Sequence, residues 1–196
     1  MVGSTPPKAQ VQSQDKLDSR TDAQLIAGIN AGDPAAFETL YFRYRDWVAN
    51  LAHRMTGSED LALDVMQETF LYVLRKFPGF RLTAHFKTFL YPAVKNLSIG
   101  ARRKASRYQS TEAEKGLLEA MPASGTPVCH TSDLASALVS LSEEHREVLL
   151  LRFVDGLTLA EIAEAVDVPL GTVKSRLHHA LESLRNDNRA KEFFKE

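Results

Sequence analysis

Thr172, Ser175, Arg176 and His179 fall together on one side of a helix when the run starting near Thr172 is placed at 100° per residue. Lys174 lies on the flank of that face, and His178 is rotated away from it. An arginine there can offer a donor fork to guanine O6 and N7, and Thr and Ser can reach bases or phosphates. A flanking lysine suits a phosphate. The opposite side carries Val173, Leu177, Ala180, Leu181 and Leu184, the stripe that would pack the helix onto a core. Just upstream, Leu159, Ile162, Ala163 and Val166 repeat at helical spacing behind Thr158, a residue suited to cap the first amides. Asp167-Val168-Pro169 then ends that helix, because a residue before proline is pushed out of the αR region. Two short helices, a sharp turn and a polar, cationic outer face on the second describe a DNA-binding helix-turn-helix. A hairpin that only packs would not require Thr, Ser and Arg on one outward face.

A second constellation lies at residues 81–111. Arg81, Lys87, Lys95, Arg102, Arg103, Lys104 and Arg107 occur there with no Asp or Glu, a segment charge of +7. The chain as a whole is near neutral, at −1, only because residues 112–168 carry −8. Residues 20–76 hold −2 and residues 169–196 hold +2. A basic block of this density is an electrostatic footprint for a polyanion. A solvated basic tail would not need Phe86, Phe89, Tyr91, Val94 and Leu97 threaded through it. Cations interleaved with aromatics suit unstacked bases, each stacked base contributing ~1–3 kcal/mol while cations hold the backbone.

Catalytic patterns do not occur. There is no metal-spaced His/Cys set, no phosphate-cradling glycine loop and no nucleophile–base arrangement. His178 and His179 point in different directions, and the Cys129-His130 pair falls in a polar stretch. The single cysteine rules out an internal disulfide and suits a reducing compartment. No run of ~18 apolar residues could span a membrane, and no signal pattern opens the chain, so a cytoplasmic protein without cofactor or metal is expected.

The elements that must position these groups are all helical. Residues 1–20 are polar and expected to be disordered. Thr21 or Asp22 starts a short helix with Leu25, Ile26 and Ile29 inward, and Asp33-Pro34 opens a longer one to about Met55. The longer helix should bury Phe37, Leu40, Tyr41, Tyr44, Val48, Leu51 and Ala52, with Trp47 beside the stripe. Ser58 precedes a third helix to about Lys76 whose first half is acidic. The macrodipole favours Glu59 and Asp60 at its start but reaches Asp64 and Glu68 poorly, which points to a partner-binding face. A loop at residues 77–83 leads to a fourth helix, about Ala84 to Lys104. Pro92 inside it should bend or split it, at ~3 kcal/mol or more unless compensated. Residues 105–131 read as a flexible linker, ~30 Å long on average as a coil and ~90 Å at full stretch. Asp133 and Ser142 cap two further helices before the helix-turn-helix. The expected fold class is all-α, two small helical domains joined by this linker.

The two halves together resemble the sigma-70 family of RNA polymerase sigma factors. LSEEHREVLLLRF (141–153) followed by GTVKSRL (171–177) looks like domain four. AGDPAAFETLYFRY (31–44), DVMQETFLYVL (64–74) and FRLTAHFKTFLYPAVKN (80–96) look like domain two, in order and spacing. With only these two domains the chain is similar to the extracytoplasmic-function (ECF) subfamily. The resemblance implies domain two at residues 21–104, the linker at 105–131, domain four at 132–186 and a tail at 187–196. It implies that Asp64, Gln67, Glu68 and Phe70 dock on the clamp of the core polymerase largest subunit. Phe80, Arg81, Phe86, Lys87, Thr88, Phe89, Lys95 and Asn96, with Arg102 and Arg103, would recognise and open the −10 element, although at least one of Phe86 and Phe89 should be mainly structural. Thr172, Lys174, Ser175, Arg176 and His179 would read the −35 duplex. The implied partners are core RNA polymerase, promoter DNA and an anti-sigma factor. Phe89 stands where relatives commonly carry Trp, Pro92 where a basic residue is usual, Gly100 where Asp is common, and Leu82-Thr83 for a Gly-acid pair. A stand-alone helix-turn-helix regulator and a sigma-like decoy for an anti-sigma protein are the alternatives. Neither uses both the acidic third helix and the basic fourth.

Overall fold

The computed structural model describes residues 18–115 and 133–190, and every regular element among them is a helix. Helix α1 (Asp22–Asn30) begins in a reciprocal capping box between Thr21 and Gln24. Helix α2 (Pro34–Thr56) starts with Asp33 accepting from the Ala35 amide and Pro34 at the first helical position, and ends on Gly57 in the left-handed region. Helix α1 can lie close on α2 because Gly28 has no side chain. A Cβ there would come 3.0 Å from the Ala36 Cβ. Ser58 caps α3 (Glu59–Leu74) through the Leu61 amide. Asp18 and Arg20, expected to lie in a disordered segment, instead brace this corner. Arg20 pairs with Asp33 at 3.1 Å, and Arg43 donates to the Asp18 and Arg20 carbonyls.

Helix α4 (Phe86–Lys115) is a single helix through Pro92 and runs eleven residues past the expected end. Pro92 deprives the Thr88 carbonyl of its usual amide partner, but its ring sits on an exposed face, so the loss stays local. Apolar periodicity ends at Ala105, yet residues 101–115 contain no Gly or Pro to break a helix. Eleven residues assigned to the linker are therefore helix, and Cys129-His130 falls outside the described residues.

Helix α5 (Asp133–Ser140), α6 (Glu143–Phe153), α7 (Leu159–Ala165) and α8 (Leu170–Asn186) form the second unit. Ser142 caps α6, and Thr158 with Glu161 forms a second capping box on α7. The sharp turn into α8 uses Asp167 at φ 54°, a conformation aspartate tolerates better than a branched residue. The segment past α8 is not all tail, since Ala190 is fully buried against Ala137, Leu141, Ala180 and Leu184. The main core runs through both halves. Leu25, Leu40, Val48, Phe70, Phe86 and Leu90 share one cluster with Val148, Leu151, Ile162 and Val173, and α4 packs directly on α7.

The α7 capping box has a measurable consequence. Thr158→Ala removes the hydroxyl that receives the Glu161 amide and should cost about 1 kcal/mol, read as a lowered denaturation midpoint with the helix content retained.

Candidate nucleic-acid interface

Helix α8 turns Val173, Ala180 and Leu184 inward and leaves Lys174, Ser175 and His179 exposed, with Thr172 and Arg176 half-buried. Ser175 and His179 thus face outward, whereas Thr172 and Arg176 lie nearer the packed side than the sequence predicts. The Ser175 hydroxyl donates to the Thr172 carbonyl at 3.0 Å, and Arg176 pairs with Glu144 of α6 at 2.9 Å. His179 lies 3.6 Å from Glu182.

The basic, aromatic segment divides into two sets. Phe86 is fully buried and Thr88 nearly so, its hydroxyl without a protein partner, and Tyr91 and Leu90 point inward with them. Phe86 thus stands in the core, with no surface for a base in this arrangement, while the nearly buried Thr88 lies at the wall of a cavity. Phe80 and Phe89 are only half-buried, their ring centroids 4.7 Å apart, with Phe77 and Tyr72 alongside. Together with Tyr72, Leu82, Thr83 and Asn96 they line an open cavity of about 480 Å³. Arg81 and Asn96 are exposed at this cavity, whereas Arg102 and Arg103 are exposed farther along α4, Arg102 beside a separate cleft with Arg54, Tyr91, Lys95 and Glu147.

Lys87 and Lys95 are engaged by the second half of the chain. The Asp155 side chain, 1% exposed, accepts from Trp47 Nε1 at 2.8 Å and from Arg54 at 2.6 Å, while its backbone carbonyl accepts from Lys87 Nζ at 2.8 Å. Lys87 also lies 5.5 Å from the centre of the Trp47 ring. Farther along α4, Glu147 accepts from Lys95 at 2.5 Å and from the Tyr91 hydroxyl. Burial, and then the Glu147 carboxylate, push the Tyr91 phenol far above its ordinary range, so it stays a donor. Glu161 meets His85 at 3.1 Å. Burial alone would raise the Glu161 carboxyl, but hydrogen bonds from Thr158 and the nearby His85 and Lys87 leave it below its ordinary value, hence ionised. Glu164 of α7 reaches the rim of the Phe80–Phe89 cavity.

On α3, Asp64, Gln67 and Glu68 are exposed as a docking face requires, but Phe70 is 4% exposed and packs edge-on against Tyr41 at 4.8 Å. Phe70 therefore supports the face from beneath. The apolar part of that surface is supplied by Leu63, Leu71 and Leu74, all exposed. Their spacing along the helix outside the buried stripe was the available signal.

The family models for sigma-70 region 2 and region 4 match residues 40–108 and 137–186. The ECF RNA polymerase sigma-E factor of Escherichia coli (strain K12) is 34% identical over 181 residues, covering 85% of this chain and 93% of that protein. The chain belongs to the ECF sigma factors. The ECF RNA polymerase sigma factor SigW of Bacillus subtilis (strain 168) is 29% identical over 177 residues, covering 84% of this chain and 95% of its own. Among solved structures, CnrH in complex with the cytosolic domain of CnrY shares the fold, with a TM-score of 0.60 at 22% identity over 83% of this chain and 93% of that one. As an ECF sigma factor the chain is a promoter-specificity subunit that directs transcription initiation by RNA polymerase. No helix among the described residues is long and apolar enough to cross a membrane.

Motif reading missed the residues that join the halves of this sigma factor: Trp47, Arg54, Glu147 and Asp155. The signal was present as charge, since the +7 of residues 81–111 is matched by the −8 of residues 112–168. The core position of Phe86 separates packing from base stacking. Phe86→Ala should lose about 3–5 kcal/mol of stability in chemical denaturation, whereas the half-buried Phe89→Ala should lose clearly less.

Proposed function

We propose that this sigma factor grips a promoter at two points and that its free form holds one of them shut. In this reading α8 places Thr172, Lys174, Ser175, Arg176 and His179 on the −35 duplex, with Arg176 the base reader and Lys174 on a phosphate. Phe80 and Phe89, with Asn96 at the rim, receive an unstacked base of the −10 element in the cavity between them. Arg81, Lys87, Lys95, Arg102 and Arg103 hold the displaced backbone. Asp64, Gln67 and Glu68, with Leu63 and Leu71, dock on a basic surface of the polymerase clamp. The sigma factor supplies no bond chemistry of its own, works in the cytoplasm beside the polymerase, and is the target of an anti-sigma protein.

The observation that carries the reading is the double use of Lys87 and Lys95. Both belong to the surface suited to a nucleic-acid backbone, and both bind acceptors from domain four, Lys95 the Glu147 carboxylate and Lys87 the backbone carbonyl of Asp155. Strand capture then requires domain four to leave, which docking on core polymerase and on the −35 duplex would drive.

Run-off transcription with core polymerase and a promoter library should give promoter-specific initiation; initiation indifferent to sequence would sink the reading. For the closed form, Glu147→Gln with Asp155→Asn should raise the affinity of the free chain for single-stranded −10 DNA about tenfold at low salt, the gain shrinking as salt rises. Unchanged affinity would show that the acids do not guard these lysines.

A further inference from the structure

Arg176 is presented to DNA already held. Its side chain is 19% exposed and its Nη2 lies 2.9 Å from a Glu144 carboxylate oxygen. Glu144 stands in the first turn of α6, a position set by Ser142, whose hydroxyl receives the His145 amide. The same corner brings the His145 ring, 6.1 Å between centroids, beside His179 on the reading face. The N-terminus of α6 therefore flanks the outward side of α8, and its carboxylate meets the one side chain there able to make a bidentate base contact.

Two physical consequences oppose each other. A carboxylate beside the phosphates of a duplex repels them and lowers affinity for every sequence alike. A free arginine samples many rotamers and loses that freedom on binding, whereas one fixed in advance does not. Guanidinium has five N–H donors in a rigid fork, so engaging Nη2 with Glu144 still leaves donors for guanine O6 and N7. The carboxylate thus trades general affinity for a fixed orientation.

We propose that Glu144 is a positioning residue for −35 readout, holding the Arg176 guanidinium in the orientation that selects guanine at one base pair. This rests on the reading of α8 as the −35 helix. Glu144 itself touches no base.

The test uses holoenzyme reconstituted from this full chain and core polymerase, on promoters carrying each base pair at each −35 position, with random-sequence duplex as competitor. Glu144→Ala should lower the preference for guanine at one position about tenfold. It should also raise binding to random duplex and steepen its salt dependence by about one counterion. Glu144→Gln, which keeps an oxygen for the guanidinium, should retain most of the preference while still raising random binding. Arg176→Ala should abolish the preference at that same position, and Glu144→Ala should add nothing on top of it. Glu144 is largely exposed, so an unchanged melting temperature should accompany all of this. Stronger binding to every sequence with the guanine preference intact would overturn the proposal, leaving Glu144 a repulsive charge. A changed preference at a position that Arg176→Ala does not affect would also overturn it, by making Glu144 a base reader. If Arg176→Ala changes no −35 position, the assignment of α8 fails instead.

Discussion

A single carboxylate, Asp155, sets the relation between the two halves of this sigma factor. It lies buried in the loop between α6 and α7, and a buried charge is tolerated only where partners replace water. Those partners come from the other domain. Trp47 and Arg54 of α2 fill its oxygens, and the lysine that binds its carbonyl comes from α4. Domain four therefore settles where domain two offers a matched set of donors. Glu147 repeats the arrangement with Lys95 and Tyr91 one layer away, and the shared apolar core closes the remaining space.

The arrangement has a functional edge because the donors are not neutral structural groups. Lys87 and Lys95 lie on the helix that carries the basic, aromatic surface, and domain four engages them through the Asp155 backbone carbonyl and the Glu147 carboxylate. Ionic contacts of this kind are sensitive to salt and to competing polyanions. A docked domain four can thus be stable in isolation and still yield to the combined pull of polymerase and promoter. Arg176, by contrast, sits at the edge of the buried stripe of α8 and pairs with Glu144. Arg176 is held by Glu144 in the same arrangement that engages Lys87 and Lys95, while the cavity between Phe80 and Phe89 stays open.

Much of this was legible from residue type and spacing. The caps at Thr21, Asp33, Ser58, Ser142 and Thr158 lie where local chemistry places them, because capping depends on a few neighbouring residues alone. The outward face of α8 follows from its period. Depth was harder to read. Phe86 and Phe89 are alike in a pattern of aromatics and cations, yet one is core and the other lines a cavity, a difference set by helices distant in sequence. Phe70 was hidden in the same way within an acidic motif. Helix α4 outran its expected end because apolar periodicity stops near Ala105 while no Gly or Pro breaks the chain before Gly116. The packing of the halves depended on pairs such as Trp47 with Asp155, which no local window contains, although the opposed charge blocks carried its outline.

Free sigma factor, closed through Asp155 and Glu147, has to open on the polymerase if the two-point grip is to form. Single-molecule energy transfer tests this opening most directly, using labels at Asn50→Cys and Ser183→Cys, both exposed, in a Cys129→Ser background. High transfer in the free chain, falling when core polymerase is added, is the result the account requires. Low transfer in the free chain, or a distance that core polymerase leaves unchanged, would contradict it.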